Sequence, residues 1–176
     1  MSSTRELFGG AITVTLPTLL IDASDLRQVP DTQEVFLHPK SGESIIVEVL
    51  ESVAAKEVQE AVKFHFNALA HDNSAVGETV LEVSPSSTRN GETPAPVLLY
   101  GTQNVPKFNA TVPDEVQIFL ALYRIPNKNV DLVMSMNVPT KSADGGAVSA
   151  DELAASKTVF QTAASSLTIV NFGLFA

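Results

Sequence analysis

The sequence predicts a mixed fold, either α+β or a three-layer α/β/α sandwich built on a mostly antiparallel sheet. Strand-like runs follow one another through the middle of the chain, and two long helical patterns flank them. The regular strand–helix–strand alternation that a parallel sheet demands is missing. The chain has 176 residues, 44% of them hydrophobic and only 18% charged. That is enough for one domain with a real core and too few to expect two, so a single domain over residues 1–176 is expected.

The first strand is read at residues 11–16, where Ala-Ile-Thr-Val-Thr-Leu alternates in side-chain character. Gly9-Gly10 before it supplies a tight entry, since glycine tolerates backbone angles that other residues resist. A short second strand is expected at residues 34–37. A third, at residues 44–49, is apolar at nearly every position and is therefore placed in the middle of the sheet. From residue 52 to 69, Val58, Ala61, Val62, Phe66 and Leu69 recur at spacings of three and four. Lys56, Glu57, Glu60 and Lys63 fall elsewhere, which is the pattern of an amphipathic helix.

Further strands are expected at 78–83, 97–103, 116–125 and 131–138. Residues 84–96 contain three prolines with Arg89, Asn90 and Gly91, and predict an irregular, mobile loop. Ser149 and Glu152, three apart, form a capping box that starts a second long helix reaching residue 167. The tail Val170-Asn-Phe-Gly-Leu-Phe175 is too apolar to be left in water and is expected to pack back on the domain.

Twenty acidic against eleven basic residues give a net charge of −9, a field that opposes nucleic acid and suits a basic protein partner. Residues 1–60 hold ten acids and four bases, so the acidic surface belongs mainly to the first third. An acidic surface also keeps a protein soluble, and net charge alone says no more than that. No cysteine is present, which removes disulfides and thiolate chemistry and fits a reducing compartment. The alternating N-terminus does not resemble a secretory signal, and the longest apolar stretch, residues 116–122, is far below the ~20 residues of a spanning helix. A soluble protein without membrane insertion is expected.

No catalyst can be assembled from the residues. His38, His65 and His71 form no metal-ligand pattern, and each reads as an ordinary hydrogen-bonding histidine. Gly9-Gly10 lacks the phosphate-loop pattern, and no nucleophile elbow is present. Neither cofactor nor metal is expected, and the protein is read as a non-enzyme.

The acidic residues remain. Asp22 and Asp25 flank a possible helical turn, Asp31 follows Pro30, and Glu34 opens a strand, all roles that caps and turns explain. Glu48 is different, because it interrupts Ile45-Ile-Val47 and Val49-Leu50 and must reach solvent or a partner. Glu51 lies three residues on. Along a continuous strand the two would face opposite ways, whereas a strand ending near Val49 would let them converge. A glycosidase-like acid and base pair would also want aromatic sugar platforms, and the chain has no Trp and two Tyr. Docking of a basic protein surface explains the pair better.

The segments Leu7-Phe-Gly-Gly-Ala-Ile12, Ile21 to Phe36 and Ser44 to Glu51 resemble the Mog-one family of Ran guanine-nucleotide release factors. Ala121-Leu-Tyr-Arg-Ile125, Asp131-Leu-Val133 and Gly173-Leu-Phe175 extend the resemblance, while residues 84–107 match poorly. The resemblance implies a twisted sheet flanked by helices, shared with the photosystem extrinsic proteins. It implies binding to the small GTPase Ran, promotion of nucleotide release, support of nuclear protein import, and a place in the nucleus and also the cytoplasm. Carried over by position, Glu48 and Glu51 become the principal Ran-binding residues, with Asp25, Arg27, Asp31 and Glu34 completing or shaping the surface. The protein is expected to act as a monomer. Two other readings stay open: a small-molecule or lipid-binding module on the same sandwich, and an accessory structural subunit like the photosystem proteins, which the lack of a targeting segment opposes.

Overall fold

The computed structural model of the chain describes every residue except 87, 88 and 109. Two strands, β1 (Ser2–Leu7) and β2 (Ile12–Pro17), open the chain as an antiparallel hairpin. Its turn uses positive φ at Phe8, Gly9 and Gly10 (52°, 67° and 93°). Glycine adopts such angles without steric cost, and Phe8, which does not, is held by its N–H donating to Glu34 Oε1 at 2.8 Å. The polar strand β1 escaped the sequence reading because its Ser-Ser-Thr-Arg-Glu run carries no apolar alternation.

The large sheet contains β3 (Ile21–Asp22), β4 (Gln33–Leu37), β5 (Ser44–Glu51), β6 (Gly77–Pro85), β7 (Val97–Val105), β8 (Asp114–Ile125) and β9 (Val130–Lys141). Its spatial order is β3-β4-β5-β9-β8-β7-β6, and every pairing is antiparallel. The strand expected to be central, β5, is interior but third from one edge, and β9 holds the middle. The reason is length: β8 and β9 each run for 12 residues and are apolar on both faces, so the best-buried pair falls at the centre.

Alternation along β8 divides the core. Phe119, Ala121 and Tyr123 join one cluster with Phe160, Ala163 and Ala164 of the second helix, α2 (Ala150–Ser166), and with Ile12, Val14 and Leu16 of β2. Ile118, Leu120 and Leu122 join another with Ala61, Val62 and Phe66 of the first helix, α1 (Val58–Asp72). The two helices therefore cover opposite faces of the sheet. The Tyr123 hydroxyl donates to the Ala164 carbonyl at 2.5 Å, and burial pushes its pKa well above the ordinary phenol range.

Gly101 on β7 lets α1 approach: a Cβ there would meet Thr79 O at 2.7 Å and the Phe66 ring at 2.8 Å. The expected helix at 52–69 starts instead at Val58. Its first residues are taken by side chains from the sheet, as described below, and cannot join a helical hydrogen-bond ladder.

The capping box stands as expected. Ser149 Oγ accepts the Glu152 N–H at 3.2 Å, and Glu152 Oε1 accepts the Ser149 N–H at 3.0 Å. Hydrogen bonding from Ser149, its backbone N–H first, holds the Glu152 carboxyl below its usual range. The tail folds into one 3-10 turn over Phe172–Phe175 with Phe175 buried, and Thr168–Ile169 forms β10 on the free edge of β2. In the loop expected to be mobile, residues 87 and 88 lie outside the described ones, but its second half is tied down. The Asn90 amide donates to the Ser165 and Leu167 carbonyls, and buried Thr93 accepts the Ile169 N–H at 2.9 Å.

Candidate functional site

Helix α1 packs on β6, β7 and β8, and beside it a cleft of about 440 Å³ opens towards β5 and β9. Ile46, Leu50, Leu120 and Val133 give it an apolar floor, Phe64 and Leu69 a wall, and Glu48, Glu51 and Asp72 an acidic rim. Period-two alternation explains the floor: Ile45 and Val47 enter the core on the α2 side, so Ile46, Glu48 and Leu50 are turned to the α1 side. Glu48 meets no cation among the described residues. It lies opposite Gln33 in the β4–β5 register, and the Gln33 amide donates to its Oε2.

Strand β5 does not end near Val49. It continues through Glu51, so alternation sets Glu48 and Glu51 towards opposite faces. Glu51 is exposed at the strand's end and borders the same cleft. The chain then turns under control of a buried cluster. Asp131 on β9 is fully buried and accepts from His65 Nε2 at 2.8 Å, from Arg124 Nε at 3.2 Å, from Ser52 Oγ at 3.2 Å and from the Val53 N–H at 3.2 Å. The Arg124 guanidinium also donates to the Val53 and Ala55 carbonyls.

Burial alone would raise the Asp131 pKa. The hydrogen bonds from His65 and Val53 and the charges of Arg124 and His65 outweigh it and hold the carboxyl below its ordinary value. The effect is to bolt the segment after Glu51 to the sheet and so to fix the rim of the cleft.

The remaining predicted residues lie along the β3–β4 edge. Asp22 Oδ1 caps the 3-10 turn at Ala23–Asp25 by accepting from the Ser24 N–H and hydroxyl at 2.9 and 2.7 Å. Asp25 and Arg27 are exposed. Asp31 and Glu34 border a second cavity of about 230 Å³, and Gln33 borders both cavities. The six acidic and basic site candidates are thus not one ledge. Glu48 and Glu51 rim the cleft, Asp31 and Glu34 flank the adjoining cavity, and Asp25 and Arg27 project from the turn. Glu34 is already engaged by the Phe8 N–H.

Of the histidines, His38 Nδ1 accepts the Lys40 N–H at 3.1 Å, His65 pairs with Asp131, and His71 is exposed in the last turn of α1. Among the described residues no three His, Asp or Glu side chains gather as a metal-ligating group. Sequence reasoning missed Gln33, Phe64 and the His65–Asp131–Arg124 cluster as parts of the site. Phe64 did carry a signal, as a large apolar residue out of phase with the core face of its helix.

A family model described as Ran-interacting Mog1 protein matches residues 5–139. The Ran guanine nucleotide release factor of Homo sapiens is 39% identical over 145 residues, covering 79% of this chain and 78% of that protein. The nuclear import protein MOG1 of Saccharomyces cerevisiae is 37% identical over 164 residues, covering 85% of this chain and 72% of its own length. The crystal structure of the Saccharomyces cerevisiae Ran-binding protein Mog1p is similar with a TM-score of 0.79 and 30% identity, over 100% of this chain and 99% of that one. With a matching family model over most of its length and relatives of this identity and coverage, the chain belongs to the Ran-interacting Mog1 family.

Proposed function

We propose that this protein binds the small GTPase Ran and promotes release of its guanine nucleotide, in support of nuclear protein import, by docking a basic Ran surface on the acidic cleft beside α1. The observation that carries the reading is the rim of Glu48, Glu51 and Asp72 around an apolar floor, with no Lys or Arg among the described residues lining it, in a chain whose relatives are named for Ran and nuclear import. Glu48 and Glu51 make the principal contacts. Asp25, Arg27 and Asp31 extend the docking surface along the β3–β4 edge, and Glu34 shapes it by holding the turn at Phe8.

Release follows from differential affinity. A protein that binds nucleotide-poor Ran more tightly than loaded Ran shifts the equilibrium towards the empty state, and by linkage nucleotide and protein weaken each other's binding by the same factor. No covalent step and no cofactor enters, so the protein is a non-enzyme in its own right. It acts as one domain and as a monomer, in the nucleus and also the cytoplasm, without nucleic acid or membrane insertion. The finer fold description, an α/β/α sandwich like that of the photosystem extrinsic proteins, is supported by the placement of α1 and α2 on opposite faces of the sheet.

A second reading, a small-molecule or lipid-binding module, is favoured by a separate cavity of about 190 Å³ between β5, β9 and α2, with mostly apolar walls that include Leu20, Ile45, Met136 and Val159. Ligand-dependent melting would support it.

The test is release of labelled GDP from Ran. Reversing both acids, Glu48→Lys with Glu51→Lys, abolishes Ran binding and stimulated release, because close opposed charge pairs couple by ~1.5–7 kcal/mol and reversal adds repulsion. Reversing Glu78 and Glu92 changes only the on-rate, modestly, since exposed charges are screened beyond ~8 Å. If the double Glu48/Glu51 variant keeps its circular dichroism and still releases nucleotide at the normal rate, the cleft is not the docking site.

A further inference from the structure

The acidic rim accounts for attraction, but the cleft it surrounds is mostly hydrocarbon. Phe64 is 56% exposed on α1, one of ten large apolar side chains in that state among the described residues, and it borders the cleft. Leu50 at the end of β5 borders the same cleft, and Leu69 lies five residues on along the same helix, both only partly buried against the core beneath. Ala68, small and exposed, leaves the wall open between them. An aromatic residue held on a rigid helix beside a concave apolar floor has the character of an interface anchor, since such residues dominate binding energy while rim charges govern approach.

The charge of the rim narrows the occupant. Asp72 is the last residue of α1, where the helix dipole already places partial negative charge and a carboxylate is unfavourable. Together with Glu48 and Glu51 it makes the charge of the rim negative, and no lysine or arginine among the described residues lines the cleft.

We infer that the cleft receives a basic segment of the partner GTPase that carries a large apolar side chain, which inserts between Phe64, Leu50 and Leu69 while flanking cations pair with Glu48, Glu51 and Asp72. This rests on the docking reading above and goes further by assigning the anchor. The acids set the rate of association and its salt dependence, whereas Phe64 sets the lifetime of the complex.

The experiment measures association and dissociation rates of purified nucleotide-free Ran with the full chain at low and high salt. Phe64→Ala speeds dissociation about tenfold or more, with the association rate and its salt slope unchanged, and Phe64→Leu recovers part of the loss. Ala68→Trp, which removes no contact and fills the opening, also blocks binding. Thermal melts of each variant guard against misfolding, which an exposed position makes easy to avoid. If the Glu48 and Glu51 reversal abolishes binding while Phe64→Ala and Ala68→Trp dissociate like the unaltered protein, the anchor is wrong and the acidic docking site stands. If all three variants bind normally, both inferences fall.

Discussion

Asp131 shows how much one buried carboxylate can organise. It is fully buried yet satisfied by His65, Arg124, Ser52 and the Val53 N–H, so removing its charge leaves the Arg124 guanidinium without its counterion in the interior. Asp131→Asn is expected to cost ~3–5 kcal/mol in urea unfolding, the usual penalty for breaking a buried pair from one side. The same group gives a pH dependence. Its folded pKa lies below the ordinary value of 3.8, so its stabilisation is fully present above that value and disappears as pH falls through the folded pKa. Between ~pH 5 and strongly acid solution the unaltered protein should lose more stability than Asp131→Asn, which has no such proton to take up. Glu34 is a second residue with a job inside the fold. Because it accepts from Phe8 in a positive-φ conformation, Glu34→Ala should lower stability by ~1.5–3 kcal/mol. Its effect on Ran affinity should be smaller than that of Glu48→Lys, as titration calorimetry would reveal.

At the level of elements, α1 and α2 are secured in different ways. The start of α2 is local chemistry: the reciprocal bonds of Ser149 and Glu152 satisfy two N–H groups that a helix end leaves free. Ser149→Ala should cost ~0.5–2 kcal/mol. Helix α1 has no side-chain cap and depends on fit to the sheet, above all on Phe66 lying over Gly101. Gly101→Ala presses a methyl against the Thr79 carbonyl and the Phe66 ring, and is expected to destabilise by ~1–3 kcal/mol, the range for overpacking. Because α1 forms one wall of the cleft, Gly101→Ala should also weaken Ran binding, whereas Ser149→Ala on the other face should not. Chemical denaturation and binding measured on the same two variants separate these outcomes.

For the whole molecule, the C-terminal segment closes the small sheet and the α2-side core together. Phe175 is buried there, Phe172 and Leu174 pack against the same cluster, and Thr168–Ile169 pairs with β2. Deleting residues 171–176 exposes this surface. Loss of the Phe175 contacts alone is worth ~1.5–3 kcal/mol, which for a chain of this size lowers the melting temperature by roughly 3–12 °C. Calorimetry with the truncated chain checks this. An unchanged melt would mean that the tail contributes nothing to the fold.

Periodicity in the sequence determined the eight main strand and helix runs from β4 to α2, since apolar residues at spacings of two, or of three and four, can satisfy only one secondary structure. It also determined the capping box and the burial of the tail, because their physics lies within a few residues. Strand β1 was hidden, since a polar hairpin partner is specified by pairing with β2 and not by its own pattern. The start of α1 was misread for a related reason: residues 52–57 look compatible with helix, but Arg124 and Asp131, some seventy residues away in sequence, claim their backbone groups. The same limit holds for the site. Glu48 stood out in the sequence because a carboxylate in an apolar run must be accommodated somewhere. Only the sheet order, which brings β9 beside β5 and leaves α1 over β6, β7 and β8, decided that it would face a cleft, share it with Phe64, and lie apart from Asp25 and Arg27.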